Sequence, residues 1–567
     1  MLRWWFRKGK IRSEIHPDEI LIDSENISEF DTDQFEGRIE RPISRRQLVA
    51  AGGAITLAIV LLFARAGMLQ VVHGAEYAEQ AAQNQLQEQT VFADRGAIVD
   101  RNGTPLAWSE RVRVEDDFAQ RAYAALRGLA HAVGYTKAPA KDSSGNYFRT
   151  TFEGLDGAER AYNERLGGQN GVELTETDAL GRIVSQATTR APVAGDTLRL
   201  SLDANVTQGL YDVLAQNASA ANFQGAAGII MDVRTGELVA LTSYPEYSQN
   251  AMVEGDRNLL AQYNQDKRQP FLDRAVDGLY APGSIVKPIM AAGAIADGII
   301  DEYKQIESRG QISIPNPYDP KNPSIFRDWR VNGWTDARHA IAVSSDVYFY
   351  AVGGGYQDQR GMGIATIDKW LQAFGYGADA GLAGFSSKQG TIPTIEWKAK
   401  TFPDDPTWRL GNTYHTGIGQ YGVQVTPLQA VRSAAALANG GTLVVPTLLA
   451  SLSANPADST PQGTKIDIDA HALQVAREGM RLGVTEGIAT GVKLPYVSVA
   501  AKTGTAQIGM KNEYLNAWMI GFWPFENPKY AFAVILDRAP AHTGTGGNAV
   551  MGQFFAWMHE NAPEYLE

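Results

Sequence analysis

The chain has 567 residues, too many for one ordinary domain and enough for two or three. Its 44% apolar and 20% charged content is that of a globular protein, and a net charge of −12 argues against nucleic acid as the main partner. Zero cysteines exclude disulfides, thiolate metal sites and a cysteine nucleophile.

Residues 1–12 are basic and aromatic, and 14–40 are acidic and polar, which reads as a tail. Arg41, Arg45 and Arg46 precede the apolar run Leu48–Ala64, which extends to Val72 if Arg65 snorkels. Arginines on that side place the N-terminus in the cytoplasm. A leader of over forty residues with an acidic centre makes a poor signal-peptide n-region, so an uncleaved anchor is expected despite Ala64-Arg65-Ala66. The expected division is a cytoplasmic tail at 1–46, a transmembrane helix at 47–72, a polar pedestal at 73–202 and a catalytic body at 203–567.

Within the pedestal a helix is expected at Glu76–Gln89, then a short strand at Gly96–Asp100 turning at Arg101-Asn102-Gly103. Alternation recurs at Thr197–Leu202. From Asp203 the pattern predicts a helix at Val206–Ala218 and a hairpin of Ala226–Val233 with Glu237–Thr242. Helices follow at about Thr335–Tyr350, Gly363–Phe374, Thr426–Leu437 and Asp469–Gly483. Strands Val497–Lys502, Asn516–Trp523 and Tyr530–Leu536 and a last helix at Gly546–Glu560 close the chain. Hairpins at both ends with helices between predict an α/β (α+β) fold, an antiparallel sheet flanked by helices.

Three short motifs carry chemistry. Ala281-Pro282-Gly283-Ser284-Ile285-Val286-Lys287 holds the one Ser-x-x-Lys of the chain, at a helix start. A serine hydroxyl needs a neighbour to take its proton, and a lysine three residues on shares its face. Ser344-Ser345-Asp346 lies 60 residues later, a hydroxyl to relay a proton and a carboxylate to orient neighbours. Lys502-Thr503-Gly504-Thr505 lies on an expected strand, where a cation and hydroxyls can bind a carboxylate and Gly504 lets a substrate backbone approach. Each alone is weak, since serines near acids are usually caps and Lys-Thr-Gly is usually a turn.

Together and in this order, the motifs resemble those of class B penicillin-binding proteins, most closely the penicillin-binding protein 2 type. The resemblance covers most of the chain from the anchor helix on. It includes Asp94-Arg95-Gly96, Asp100-Arg101-Asn102-Gly103, Met231–Glu237, Tyr244-Pro245 to Asn250, and Arg274-Ala275 before Tyr280. It also includes Gly417-Ile418-Gly419-Gln420, Thr426-Pro427, and Trp518 before Gly521-Phe522. It implies a penicillin-binding/serine β-lactamase-like transpeptidase domain on a β-rich pedestal. Ser284 would be the acylated nucleophile and Lys287 the base, kept neutral by desolvation and by Lys502. Ser344 would relay a proton, Asp346 would orient the site, and Lys502 and Thr503 would hold the donor's terminal carboxylate. The backbone N–H groups of Ser284 and Thr505 would form the oxyanion hole. The implied reaction cross-links D-Ala-D-Ala stem peptides, is inhibited by β-lactams, and serves elongation and cell shape. It needs no cofactor or metal. The implied setting is the bacterial cytoplasmic (inner) membrane, with a single pass, the catalytic domain periplasmic, and a SEDS-type (RodA-like) glycan polymerase as partner.

Two departures stand out. The third position of the second motif is Asp346, where many relatives have Asn, and a carboxylate there raises the pKa of neighbouring lysines. The stretch between Trp108 and Gly128 is short, so the membrane-distal pedestal is expected to be reduced. Some relatives hold a zinc with Asp, His and Cys; without Cys none is expected, and His339 near Asp336 is read as a helix-surface residue. A secreted β-lactamase would be shorter and lose its leader. A D,D-carboxypeptidase would use the same motifs, and a scaffold activating a membrane polymerase is the non-enzymatic alternative.

Overall fold

The computed structural model describes residues 44–83, 86–177, 183–316, 319–451 and 463–567; the expected tail at 1–43 lies outside them. The chain forms two compact units, one up to Leu86 and one from Gln87 on. In the first, Ser44 caps helix α1 (Arg45–Gly67), its hydroxyl accepting from the Gln47 N–H, and a π-helical turn continues to Val72. Arg45–Val72 is 28 residues, its most apolar 18-residue stretch has a mean hydropathy of 2.2, and none of its side chains is buried, so it is long and apolar enough to cross a membrane. The helix expected at Glu76–Gln89 instead runs Gly74–Gln83, and Leu86–Val91 is a strand. Its sequence Leu-Gln-Glu-Gln-Thr-Val has no apolar alternation to mark a strand; it is a strand because it pairs with Gly171–Thr177.

The second unit begins with a four-stranded sheet in the order Leu198–Arg199, Ile98–Val99, Pro105–Glu110, Gln120–Tyr123. Beneath it Glu159, fully buried, accepts from Arg95 Nε at 2.6 Å and Arg121 Nε at 2.7 Å. One shared carboxylate thus compensates the desolvation of two guanidiniums.

The catalytic body is built on one antiparallel sheet. Helix α2 (Ala204–Ala220) precedes strands β1 (Gly225–Asp232) and β2 (Leu238–Tyr244). A 3-10 turn, Gly283–Val286, leads into helix α3 (Lys287–Ala296). Helices α4 (Ala337–Val343), α5 (Asp346–Gly354) and α6 (Ala470–Thr485) follow. Strands β3 (Ala500–Ile508), β4 (Tyr514–Trp523) and β5 (Tyr530–Pro540) and helix α7 (Gly547–Asn561) complete it. The strand order is β2-β1-β5-β4-β3, so the chain's last strands pair with its first. Alternation sorts the two faces. In β5, Ala531, Ala533 and Ile535 join the core that contains α3, while Phe532, Val534 and Leu536 join the core of α2 and α7. The five-stranded antiparallel sheet with helices on both faces is the fold expected from the sequence.

The single helix expected over Thr335–Tyr350 is broken in two. Ser344 adopts the left-handed conformation, φ 59° and ψ 43°, between α4 and α5. The Ser345 N–H reaches back to the Ala340 carbonyl at 3.0 Å, the bond that normally closes a helix on a glycine. His339 is exposed on the first turn of α4, its Nδ1 2.8 Å from Asp336, which caps that helix.

Candidate active site

The sequence places Ser284 on a 3-10 turn, in which residues three apart eclipse, so Ser284 and Lys287 stand one above the other. Several contacts pin the turn. Gly283 has φ 55° and donates its N–H to the Gly419 carbonyl at 2.9 Å. The Trp518 indole N–H donates to the Ala281 carbonyl at 3.0 Å. Tyr280 bridges to Val425 through both backbone groups. The turn also lies flat on β3: a Cβ added at Gly504 would stand 2.9 Å from the Pro282 carbonyl oxygen and 2.9 Å from Ile285 Cγ2. The expectation that Gly504 clears space for a substrate backbone is therefore corrected, because the chain that needs the space is the protein's own Ser284 turn.

Behind the turn lies a buried polar cluster. Lys287, Ser344 and Lys502 are 0%, 4% and 1% exposed. Lys287 Nζ donates to Asp346 Oδ1 at 2.6 Å, to the Ser344 carbonyl at 2.8 Å and to Ser344 Oγ at 3.2 Å. Lys502 Nζ lies 2.9 Å from the same Ser344 Oγ and donates to its neighbour's carbonyl, Thr503 O, at 2.8 Å. One hydroxyl thus joins two lysines. With its backbone left-handed, Ser344 turns both its side chain and its carbonyl toward Lys287. Burial first, and the Lys287 charge second, push the Lys502 ammonium well below the ordinary lysine range, while Asp346 opposes them. The resemblance implies a neutral Lys287. The structure pushes Lys502 toward neutrality, and it sets Lys287 Nζ within hydrogen-bond distance of the Ser344 carbonyl, Ser344 Oγ and Asp346 Oδ1.

Ser284 opens onto a cleft of about 730 Å³. Asp346, Tyr350, His415, Gln420 and Thr505 line it, as do Arg327, Asp328 and Trp329 from the loop before α4. Burial lowers the His415 pKa, against the pull of Asp346. Thr503 and Gly504 do not line this cleft; with Thr505 they line a neighbouring cavity of about 220 Å³ beside the Thr543–Asn548 loop. Thr505 borders both. Asp328 is absent from the sequence reading, yet its Oδ2 accepts from Ser345 Oγ at 2.8 Å, Ser308 Oγ at 2.9 Å and the Val347 N–H at 3.1 Å. It therefore holds the Ser344-Ser345-Asp346 corner from outside. Nothing in the sequence around it singles out Asp328. The arrangement suits acyl transfer: a serine at a pinned turn, a two-lysine proton store behind it, and a cleft large enough for a peptide.

Comparison with known proteins agrees with this reading. Residues 226–556 match the family described as the penicillin binding protein transpeptidase domain, and 112–200 match the penicillin-binding protein dimerisation domain. The chain is 29% identical over 606 residues to peptidoglycan D,D-transpeptidase MrdA of Escherichia coli K12, covering 88% of this chain and 92% of that protein. It is 32% identical over 457 residues to the protein of the same name from Salmonella typhimurium LT2, covering 75% of this chain and 70% of that one. Among solved structures it resembles Pseudomonas aeruginosa PBP2 in complex with WCK 5153, with a TM-score of 0.64, 27% identity and coverage of 82% and 97% of the two chains. It shares its fold with the Helicobacter pylori PBP2 solved in complex with MreC, with a TM-score of 0.67, 24% identity and coverage of 84% and 99%.

Proposed function

The chain belongs to the penicillin-binding protein transpeptidase family, and from that premise we infer that it cross-links peptidoglycan stem peptides through an acyl-enzyme on Ser284, in cell elongation and the maintenance of cell shape. The observation that carries the assignment is the Ser344 hydroxyl held between Lys287 and Lys502 beneath the Ser284 turn. Lys502, pushed toward the amine, accepts the Ser344 proton while Ser344 takes one from the Lys287 ammonium. The positive charge moves to Lys502 and leaves Lys287 as the amine that accepts the Ser284 proton. The donor's terminal carboxylate, bound at Thr505 where the cleft meets the cavity that Thr503 lines, favours that shift because its negative charge near Lys502 stabilises the ammonium. Ser284 then attacks the penultimate D-Ala carbonyl. The C–N bond breaks, and D-Ala leaves with a proton returned along the same relay. An acceptor amine resolves the acyl-enzyme. A β-lactam follows the first step and stays attached. The backbone N–H groups of Ser284, at the start of its helical turn, and of Thr505, on the edge strand, receive the oxyanion.

The anchor Arg45–Val72 ties this activity to a membrane. The proposed topology is a single pass through the cytoplasmic membrane, with the tail 1–46 inside and the pedestal 73–202 and transpeptidase domain 203–567 in the periplasm. A solved peptidoglycan synthase complex that coordinates polymerization and crosslinking shares the fold over 91% of this chain at a TM-score of 0.69 and 23% identity. The partner we propose is a SEDS-type (RodA-like) polymerase, as the family resemblance implies. The test is labelling by a fluorescent penicillin, followed on a denaturing gel. A covalent band that survives boiling and vanishes in Ser284→Ala is expected; absence of the band from folded wild-type protein would overturn the assignment.

A further inference from the structure

A second cavity, of about 420 Å³, borders helix α5, the helix that also lines the catalytic cleft. Tyr350 lines the cleft and the next residue, Ala351, lines this cavity, so the helix is their shared wall. The volume is within the range of sites that hold small molecules, about 300–1,000 Å³.

Its lining has a particular chemistry. Trp334 is 62% exposed, on the short strand Gly333–Thr335 that pairs with Ile306–Ser308. Around it stand Gln305, Gln311 and Gln357, all exposed, none with a side-chain hydrogen-bond partner among the described residues. The charged rim groups neutralise one another: Lys304 pairs with Asp358 at 3.0 Å and Arg309 with Glu307 at 2.7 Å. What remains for a ligand is one large aromatic face and several free amides, each able to donate and accept. Such a set has nothing for an ionic ligand and little for a purely apolar one. It matches a saccharide, whose C–H face packs on an aromatic ring and whose hydroxyl and acetamido groups exchange hydrogen bonds with amides.

We propose that this cavity is a glycan subsite, taking N-acetylhexosamine units of the strand that carries the stem peptide. The proposal rests on the transpeptidase reading for its source of glycan, and geometry supports the link. An extended peptide of five residues spans about 17 Å, more than the roughly 10 Å width of the helix that lines both spaces. The subsite would position whole strands, whereas penicillin and free peptides bypass it.

The test is ¹⁹F NMR on the full chain labelled with 5-fluorotryptophan, with Trp334→Phe to assign the resonance, titrated with chitotetraose as a peptide-free probe. A saturable shift of the Trp334 resonance, with a Kd on the order of 1 mM, is expected. Gln305→Ala and Gln311→Ala should each weaken it about fivefold, the loss of one ordinary hydrogen bond, while penicillin labelling of Ser284 stays unchanged. A Trp334 resonance that does not move, or that moves equally with maltotetraose, overturns the subsite even if penicillin labelling is intact. Loss of penicillin labelling in the wild type would instead fault the transpeptidase reading, so the two failures are distinguishable.

Discussion

Lys502 and Asp346 set the working pH of the site between them. The Lys502 charge is disfavoured by burial and by Lys287, and Asp346 opposes both. Asp346→Asn removes that opposition, so Lys502 deprotonates more readily. The acid limb of the penicillin acylation rate should then move to lower pH by about one unit, the usual weight of one nearby opposite charge. A stopped-flow pH profile checks this, and a limb that stays or moves upward rules out the role given to Asp346. The same burial has a stability consequence. Below the ordinary lysine value of about 10.4, an unfolded Lys502 carries a proton that the folded one sheds, so unfolding takes up protons and wild-type stability climbs with pH toward that value. Lys502→Met lacks this contribution. It should melt at or above the wild-type Tm near neutrality while losing acylation, and the gap should close as the pH approaches 10. Melting curves from pH 7 to 10 decide the matter, and a constant gap would show that Lys502 is not held toward neutrality.

At the scale of the element, the corner between α4 and α5 is where local preference and chemistry conflict. A left-handed serine costs about 1 kcal/mol that a glycine avoids. Ser344→Gly should therefore be about 1 kcal/mol more stable than Ser344→Ala in urea unfolding, while both lose acylation about a hundredfold or more. Equal stabilities would mean that the corner is unstrained. This corner also shows what a sequence can disclose. The three motifs were legible because each is a short run whose residues act together. The five-stranded sheet was legible from its short apolar runs, Ala226–Val233, Glu237–Thr242, Asn516–Trp523 and Tyr530–Leu536, with α6 and α7 framed by Asp469 and Gly546. The break at Ser344 was not, because apolar residues continue at helical spacing from Ala337 to Tyr350. The break is set by a tertiary bond network, in which Asp328 takes the Ser345 hydroxyl and the Val347 N–H from a separate loop. The cleft residues Tyr350 and His415 escaped for the same reason: each comes from a different segment and meets the others only through packing. The helices Ile395–Thr401 and Leu410–Gly417 were also missed. They are short, and the second carries Gly411 and Gly417, residues that sequence propensity counts against a helix.

At the scale of the whole molecule, the boundary drawn at residue 202 runs through a continuous core. Ile98, Leu106 and Leu198 belong to the same buried cluster as Ile229, Ile285 and Trp518. The second unit is therefore expected to unfold as one body, and a titratable group at this joint should be felt in the stability of the whole. Glu246, after β2, is such a group. Its carboxyl accepts the Gly128 N–H at 2.6 Å and the Ala130 N–H at 3.0 Å, fastening that earlier loop to the catalytic body. Burial pushes its pKa up to about 7, outweighing the two N–H bonds and Arg127. Between the ordinary glutamate value of about 4.3 and about 7, the folded protein therefore holds a proton that the unfolded chain releases. Stability from this group is full below the lower value and falls as pH rises through the window. Glu246→Gln has no proton to lose. The wild type should have its greatest Tm advantage over Glu246→Gln near pH 4.5, and the advantage should shrink steadily to about pH 7 and then level off. Calorimetry of both proteins across that range measures the difference. A difference that grows with pH would mean that the carboxylate, not the acid, is the form that fastens the joint.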